Sequence, residues 1–585
     1  MLGIRSDQLG LFEADHIYLE FVGPETFYGF LASQRGQLFH DAEFAALYVL
    51  DNGRPSVPPS LLATGLLLQT HDRVYDEEAK ERADYDLRWK VALGIGVDER
   101  PFAKSTLQVF RAQLILHEEV RTVFERSLTF ARQTGYLKGR KIRAVIDTSN
   151  ILGRGAVKDT YNLLADGIVK LGRVLAELAG ETPEAWAAAH DLAPYFGTTS
   201  LKGEADIDWA DAAARQTFLQ GIVADADRLL EMARQTLLAH EAQSAAHQKV
   251  TEAAELLEQL LLQDIKRMPD GASIKDGVSR DRIVSVHDPE MRHGRKSKAK
   301  RFDGHKGAVA VDPESQLITA VTVLAGNAPD NEQALKLVEQ TEENAQVAVE
   351  EAIGDCAYGD GATRQEFADA GRKLVAKVPD RPNSGQIPKE DFRIELETKT
   401  CICPAGQVCQ TLELMGRRTN RNGKSEEWFA FTFHPEVCAV CPLRASCVKA
   451  GPGKGRTVSL HPQEALLQEA RAFQRSEAFD PYRQMRQVAE HRLARLMQLG
   501  MRQARYFGRA KTLYQLLMAA TVANLTLVAA SVGLMRCRGS RRSHYLARAL
   551  GPVMALIMVT ISSIFCSLGL MFRNPARRGG FRPGF

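Results

Sequence analysis

The chain has 585 residues, a formal net charge of +3, and 25% charged and 45% hydrophobic residues. Those values exclude a polycation and fit a folded enzyme of roughly three or four domains of about 150 residues each. Nine cysteines in so long a chain do not make a disulfide scaffold, and MLGIRSDQLGLFEADHIYLEF carries acids where a secretory signal needs an unbroken apolar core. The cytoplasm is the expected compartment.

Residues 1–135 read as mostly helical. Proline-punctuated PSVPPSLLATGLLLQT opens one helix, and KSTLQVFRAQLILHEEV opens another with Ser105 or Thr106 as its N-cap. Such helices suit a DNA-binding unit or a plain bundle. The apolar run Ile142–Ile146 then reads as a buried strand with Asp147 at its end. From about 161 to 266 apolar residues recur at three- and four-residue spacing. That stretch reads as a helical insertion between the first two strands, and its spacing does not sustain the heptads of a coiled-coil arm.

From Arg282 the period changes. RIVSVHD and HKGAVAVDPESQLITAVTVLAG read as short strands, the latter folded back at an Asp-Pro-Glu-Ser turn. Next come a helix (EQALKLVEQTEENAQ), a strand ending at Asp355, a helix (RQEFADAG) and a strand (KLVAKVP). The predicted fold is a mixed α/β sheet covered by helices. Residues 380–460 break this rhythm with Pro, Gly, Cys and basic residues, and helices resume over 461–534. Residues 535–585 form a basic linker and a tail. Within it Ala549–Phe572 runs 24 residues without a charge, enough at ~1.5 Å per residue to span a ~30 Å hydrocarbon core. Arginines on both sides give no orientation, so it reads as foreign to the catalytic fold, and a membrane partner is not expected.

Three carboxylates carry the chemistry. Asp147 and Asp355 end strands of one sheet, and Glu490 lies on a basic helical segment, so together they can hold two divalent cations for phosphoryl transfer. Glu464, Glu469 and Glu477 are less suited, because Asp480-Pro481 begins a new helix after them. Glu490 has Val488, Leu493 and Leu496 to seat its helix, and Arg492, Arg495, Arg502 and Arg505 to meet phosphates. Basic stripes at Arg292–Gly307 and Arg492–Lys511 suit a phosphate backbone. His287 and His305, near Asp288 and Lys306, read as surface histidines. Six cysteines fall between Cys401 and Cys447. Cys438-x-x-Cys441 has zinc-knuckle spacing, and a pair drawn from Cys401, Cys403 and Cys409 would complete a structural Zn2+ site.

The phrases GRPSVPPSLL, IDTSNILGRGAVKDTYNLL, DPEMRHGRKSKAKRFDGHKGAVAVD, GNAPDN, IGDCAYGDG, CPLRASC and RQARYFGRAKT carry a resemblance. From about Ser6 to Leu527 the chain resembles the DDE transposases of bacterial insertion sequences, in the branch with an InsH-like helical N-terminal domain. The resemblance implies an RNase H-like catalytic domain (136–379 with 461–534), between whose parts lies the Cys-rich insertion (380–460). It implies Asp147, Asp355 and Glu490 as catalytic and Mg2+ or Mn2+ ligands, and Cys403, Cys438, Cys441 and Cys447 as Zn2+ ligands. It also implies binding to inverted-repeat ends and target DNA, strand cleavage and transfer, and work at the nucleoid; chemistry on two DNA ends points to a homodimer. Arg486 fits the arginine of the signature on the last helix. The signature tyrosine is displaced to Tyr482 and its lysine position holds Met497, so Arg502, Arg505 and Lys511 become candidates for the DNA phosphate contact. A catalytically inactive DNA-binding derivative is the alternative.

Overall fold

The run Ile142–Ile146 forms a strand, but the strand does not stop at Asp147: it continues to Leu152. The computed structural model describes residues 1–531 apart from 6–13, 50–52, 240–243, 270, 297–298, 380–385, 420–422 and 424. The apolar stretch 549–572 lies outside the described residues.

The main sheet has six strands: β1 (Lys141–Leu152), β2 (Arg292–Arg295), β3 (Arg301–Val311), β4 (Ile318–Ala325), β5 (Ala348–Ile353) and β6 (Lys373–Val375). Across it the order is β4, β3, β1, β5, β6, with β2 paired to the start of β3. The first three run antiparallel, while β5 lies parallel to β1 and β6 parallel to β5. Asp312 folds β3 back into β4, its carboxylate accepting from the Ser315 N–H at 2.9 Å. RIVSVHD forms no strand, contrary to its β-branched composition: Ile283, Val284 and Val286 are buried without joining a ladder. Likewise the helix expected to be capped by Ser105 or Thr106 begins at Lys104, after Ala103, with no side-chain cap.

Both faces of the sheet are covered, which is why Ala144–Ile146 of β1 and Ala308–Val311 of β3 are apolar without alternation. One face presents Ala144, Ile146, Ala308, Ala310 and Ala352 to the helices Ala334–Ala345 and Gly361–Asp369. Small side chains there let the helices approach closely. The other face presents Val145, Ile151, Val309, Val311 and Ile353, and belongs to the largest core. That core takes in the N-terminal helices (Phe30, Leu67, Trp89, Phe124), the Asp480–Leu496 helix and the final helix Arg509–Ser531. The N-terminal helices and the sheet therefore share one apolar interior.

The final helix is the one helix, among the described residues, long and apolar enough to cross a membrane, and most of its apolar window is buried inside the fold. Asn524, fully buried, shows what it is for. Its carboxamide accepts from the Ile318 N–H at 2.9 Å and donates to the Ile318 carbonyl at 2.8 Å, closing the backbone of β4. The insertion after β1 has a separate core, with Leu164, Leu171, Leu229 and Leu257 of the helices Thr160–Ala179, Ala212–Ala239 and Ala245–Asp264 packed together. The cysteine-rich segment builds two three-stranded sheets around Phe392, Phe431, Phe433 and four buried cysteines.

Asp72 organises the N-terminal helices. Its carboxylate takes hydrogen bonds from the Tyr28 hydroxyl (2.7 Å), the Trp89 indole (2.8 Å) and Arg82 (2.8 Å), beside His71. Burial alone pushes its pKa up, but the hydrogen bonds from His71, Trp89 and Tyr28 outweigh it and hold the carboxyl at about 2.

Two predictions follow from these anchors. Asn524→Ala strands two buried backbone groups, each worth about 1–3 kcal/mol, so thermal denaturation should show a drop of several degrees, with Thr526→Ala close to wild type. Asp72 has a depressed folded pKa, so its stabilisation is present above the ordinary value near 3.8 and is lost as pH falls towards 2. Asp72→Asn should remove about 2 kcal/mol at pH 7 and flatten the acid limb between pH 4 and 2 in urea titrations.

Candidate active site

Register places the two aspartates side by side. The parallel pairing of β1 with β5 ends at Val145 opposite Ile353. Asp147 and Asp355 each lie two residues beyond that pair. With a side-chain period of two, both keep the face of Val145 and Ile353. Asp355 stays extended (φ −81°, ψ −171°) before the chain turns at Cys356–Tyr358. Neighbouring strands are about 4.8 Å apart, so two carboxylates meet where the strands part. Each commits one oxygen to the backbone: Asp147 Oδ1 accepts from the Thr148 N–H at 2.7 Å, and Asp355 Oδ1 from the Ala357 N–H at 2.8 Å. Among the described residues no hydrogen bond reaches the other oxygen of either.

The Asp480–Leu496 helix lies over this face. Proline at its first turn starts it, and Ala489, Arg492, Leu493 and Leu496 form its buried stripe. Tyr482 pins its first half to the sheet through a 2.8 Å hydrogen bond to Glu351 of β5. Glu490 stands exposed beside the stripe, with half-buried Arg486 one turn earlier. Electrostatics tie all four groups together. The Asp147 pKa is pushed up to about 6, first by burial and then by the charges of Asp355 and Glu490, against the Thr148 N–H and Arg486. Three acids crowding one another on a partly dried surface form a site with a deficit of positive charge. The competing glutamate Glu464 is buried and engaged by Lys389 and Arg471, so it is not available.

Tyr358 belongs to this centre and is less obvious in the sequence. It is 1% exposed, and burial first, then Asp147, Asp330 and Asp355, raise its pKa far enough that the phenol stays protonated. A Cβ at Gly354 would stand 2.8 Å from the Tyr358 ring, so glycine is required for the ring to lie against the strand end. The signal was an aromatic three residues past Asp355, between glycines.

Several basic residues do other work than expected. Arg492 is buried, donates to the Ala523 carbonyl at 2.9 Å and has its pKa lowered to about 10 by burial and by Arg495; it braces the final helix instead of meeting phosphate. Arg505 donates to the Val74 carbonyl at 2.9 Å and stacks 4.7 Å over Tyr75, joining the C-terminal segment to the N-terminal helices. Arg502 and Lys511 are exposed. His305 is not at the surface: it is fully buried, 3.4 Å from the equally buried Asp288, whereas His287 is exposed. Lys306 is buried and paired with Asp330 at 2.7 Å.

Among the described residues no group of three or more His, Cys, Asp or Glu side chains stands in a metal-holding arrangement. This holds for the three acids and for the cysteines, so the expected zinc site is not preformed. The thiols of Cys403, Cys438 and Cys441 do lie within electrostatic reach of Cys447, whose pKa is raised by burial first and, against Arg456, by these three. Backbone N–H groups of Gln407 and Arg456 donate to the sulfurs of Cys403 (3.3 Å) and Cys438 (3.4 Å).

No curated protein and no solved structure matches the chain. Two family models do: a transposase DDE domain over residues 402–529 and a second transposase domain over residues 21–113. The first match contains Glu490 and its helix, the second most of the N-terminal helices that share their core. Together the two matches support a DDE transposase of the insertion-sequence kind.

Proposed function

We propose that this DNA transposase binds the terminal inverted repeats of its element, cuts the phosphodiester bond at each end, and joins the freed 3′ hydroxyl to target DNA. The observation that carries the reading is the β1–β5 register, which sets Asp147 and Asp355 together under the helix of Glu490. The order β4–β3–β1–β5–β6, antiparallel then parallel, supports an RNase H-like catalytic sheet. Two copies acting on two ends make a homodimer the natural working unit, at the nucleoid in the cytoplasm.

The donor set fits Mg2+ or Mn2+: hard carboxylate oxygens, one on each aspartate without a hydrogen bond among the described residues, whose mutual repulsion a cation relieves. When bound there by Asp147, Asp355 and Glu490, divalent cations supply Lewis-acid stabilisation of the charge that develops on the phosphoryl oxygens. The chain's own residues position the DNA. Arg486, one turn before Glu490, offsets the acids and offers a charged donor to a phosphate entering the site. The buried Tyr358 phenol holds a proton at its hydroxyl within electrostatic reach of Asp147 and Asp355. Zn2+ on Cys403, Cys438, Cys441 and Cys447 would draw the four thiols into one tetrahedron and staple the Cys-rich insertion, as their grouping around Cys447 and the N–H···S bonds support.

Glu490→Gln keeps the shape and removes the charge. Cleavage of a supercoiled donor plasmid with magnesium should fall by several orders of magnitude while binding to end DNA persists, and Glu477→Gln should cleave normally. Wild-type binding with no cleavage would identify an inactive DNA-binding derivative instead. Metal analysis of purified protein should find about one zinc per chain, lost in Cys438→Ser; freely titratable thiols without zinc would refute the zinc assignment.

A further inference from the structure

A groove of about 970 Å³ separates the N-terminal helices from the segment that follows the Glu490 helix. We propose that it is a track for the phosphodiester backbone of the duplex being cut, beginning about five base pairs from the scissile bond. The proposal rests on the transposase reading and adds the path of the DNA.

The helix of Glu490 runs directly into the groove. It passes through a π-turn at Met497–Met501, breaks at Gly500 (φ 96°), and runs on through a turn at Arg502 to a single bridge residue, Gln503. That segment adds to the end of β1: the Leu152 N–H donates to the Arg502 carbonyl at 3.0 Å, and the Ala504 N–H to the Leu152 carbonyl at 2.7 Å. Five strand residues at ~3.3 Å each set the inner end of the groove roughly 16 Å from Asp147. This equals about five base pairs at ~3.4 Å of axial rise per pair. Apart from Leu152 and Arg154, every residue lining the groove lies in one of the two transposase-matched segments, 21–113 on one wall and 402–529 on the other.

The charge of the groove is unbalanced. Arg73, Lys104, Arg111, Arg154, Arg502 and Arg505 line it, against Asp76 and Glu77. Arg111 pairs with Asp76 at 2.7 Å and Lys104 with Glu77, which neutralises both acids. Four arginines then remain with no carboxylate partner among the described residues. Two of them are built into the walls: Arg505 on Val74 and Tyr75, and Arg154 on the Arg505 carbonyl (2.6 Å) with its guanidinium 5.2 Å over Phe507. Arg73 and Arg502 are exposed, and no side-chain hydrogen bond holds either among the described residues. Arg73 reaches across to the opposite wall, its Nε 3.8 Å from where a Cβ at Gly500 would stand. Four like charges gathered in one cleft repel one another until an anion enters. A continuous polyanion fits the length of the cleft.

Arg73 and Arg502 are the residues to test, since neither holds the fold. Anisotropy titrations of a duplex bearing the element's own end should show Arg73→Ala/Arg502→Ala binding about tenfold or more weakly near 0.15 M salt. The slope of log affinity against log salt should shrink by about 1.8, at ~0.9 per phosphate contact. Arg234→Ala, on the helical insertion, should match wild type. With wild-type protein, methylphosphonates placed four to six base pairs from the cut should reproduce the loss, a readout independent of any variant's folding. If the double variant and the neutralised duplex both bind as wild type does, the groove is not the track. If wild-type protein fails to prefer end DNA at all, the transposase reading fails first and the track with it.

Discussion

The parallel pairing of β1 with β5 governs this molecule. Because the ladder ends at Val145 and Ile353, the next same-face positions on both strands are free of sheet neighbours on that side, and both hold aspartate. Bringing those acids together over a largely buried surface is unfavourable by itself, as the raised pKa of Asp147 shows. The surrounding core makes it tolerable. Apolar contacts on both faces of the sheet lock the strands, and the Glu490 helix is seated by Ala489, Leu493 and Leu496 and pinned through Tyr482. The proposed site would thus sit on an unfavourable electrostatic arrangement that rigid packing maintains.

The second constraint is that the N-terminal helices, the sheet and the final helix share one core. Such sharing makes the relative position of the N-terminal helices and the acids a property of the fold. Arginines serve as struts in this assembly. Arg492 ties the Glu490 helix to the final helix, and Arg505 ties the C-terminal segment to Val74 and Tyr75. The guanidinium suits such places because it satisfies carbonyls in fixed directions and stacks on aromatic rings.

The helical insertion and the Cys-rich segment stand apart in packing, each with its own apolar cluster. They leave the chain between β1 and β2 and after β6, so neither interrupts the adjacent strands that carry the aspartates. That is the physical reason long insertions can be carried without disturbing the site: the ladder is closed by residues outside them.

Much of this was legible in the residues alone. Alternating and continuous apolar runs marked β1, β3, β4 and β5, the Asp-Pro-Glu-Ser turn marked the hairpin, and the helical spacing after Thr160 marked the insertion. The transposase motifs named the family. What the sequence could not convey depends on which surface a residue meets. Asp147 looked like a strand terminus because the apolar run stops there, yet pairing with β3 carries the strand on to Leu152. RIVSVHD has strand composition but finds no ladder partner, His305 looked like a surface residue and is fully buried, and Arg492 looked like a phosphate ligand but is buried against the Ala523 carbonyl. Local composition determines how a segment pairs with water or with itself. Which carbonyl, ring or second acid stands opposite a side chain is set only when segments distant in the chain are packed together.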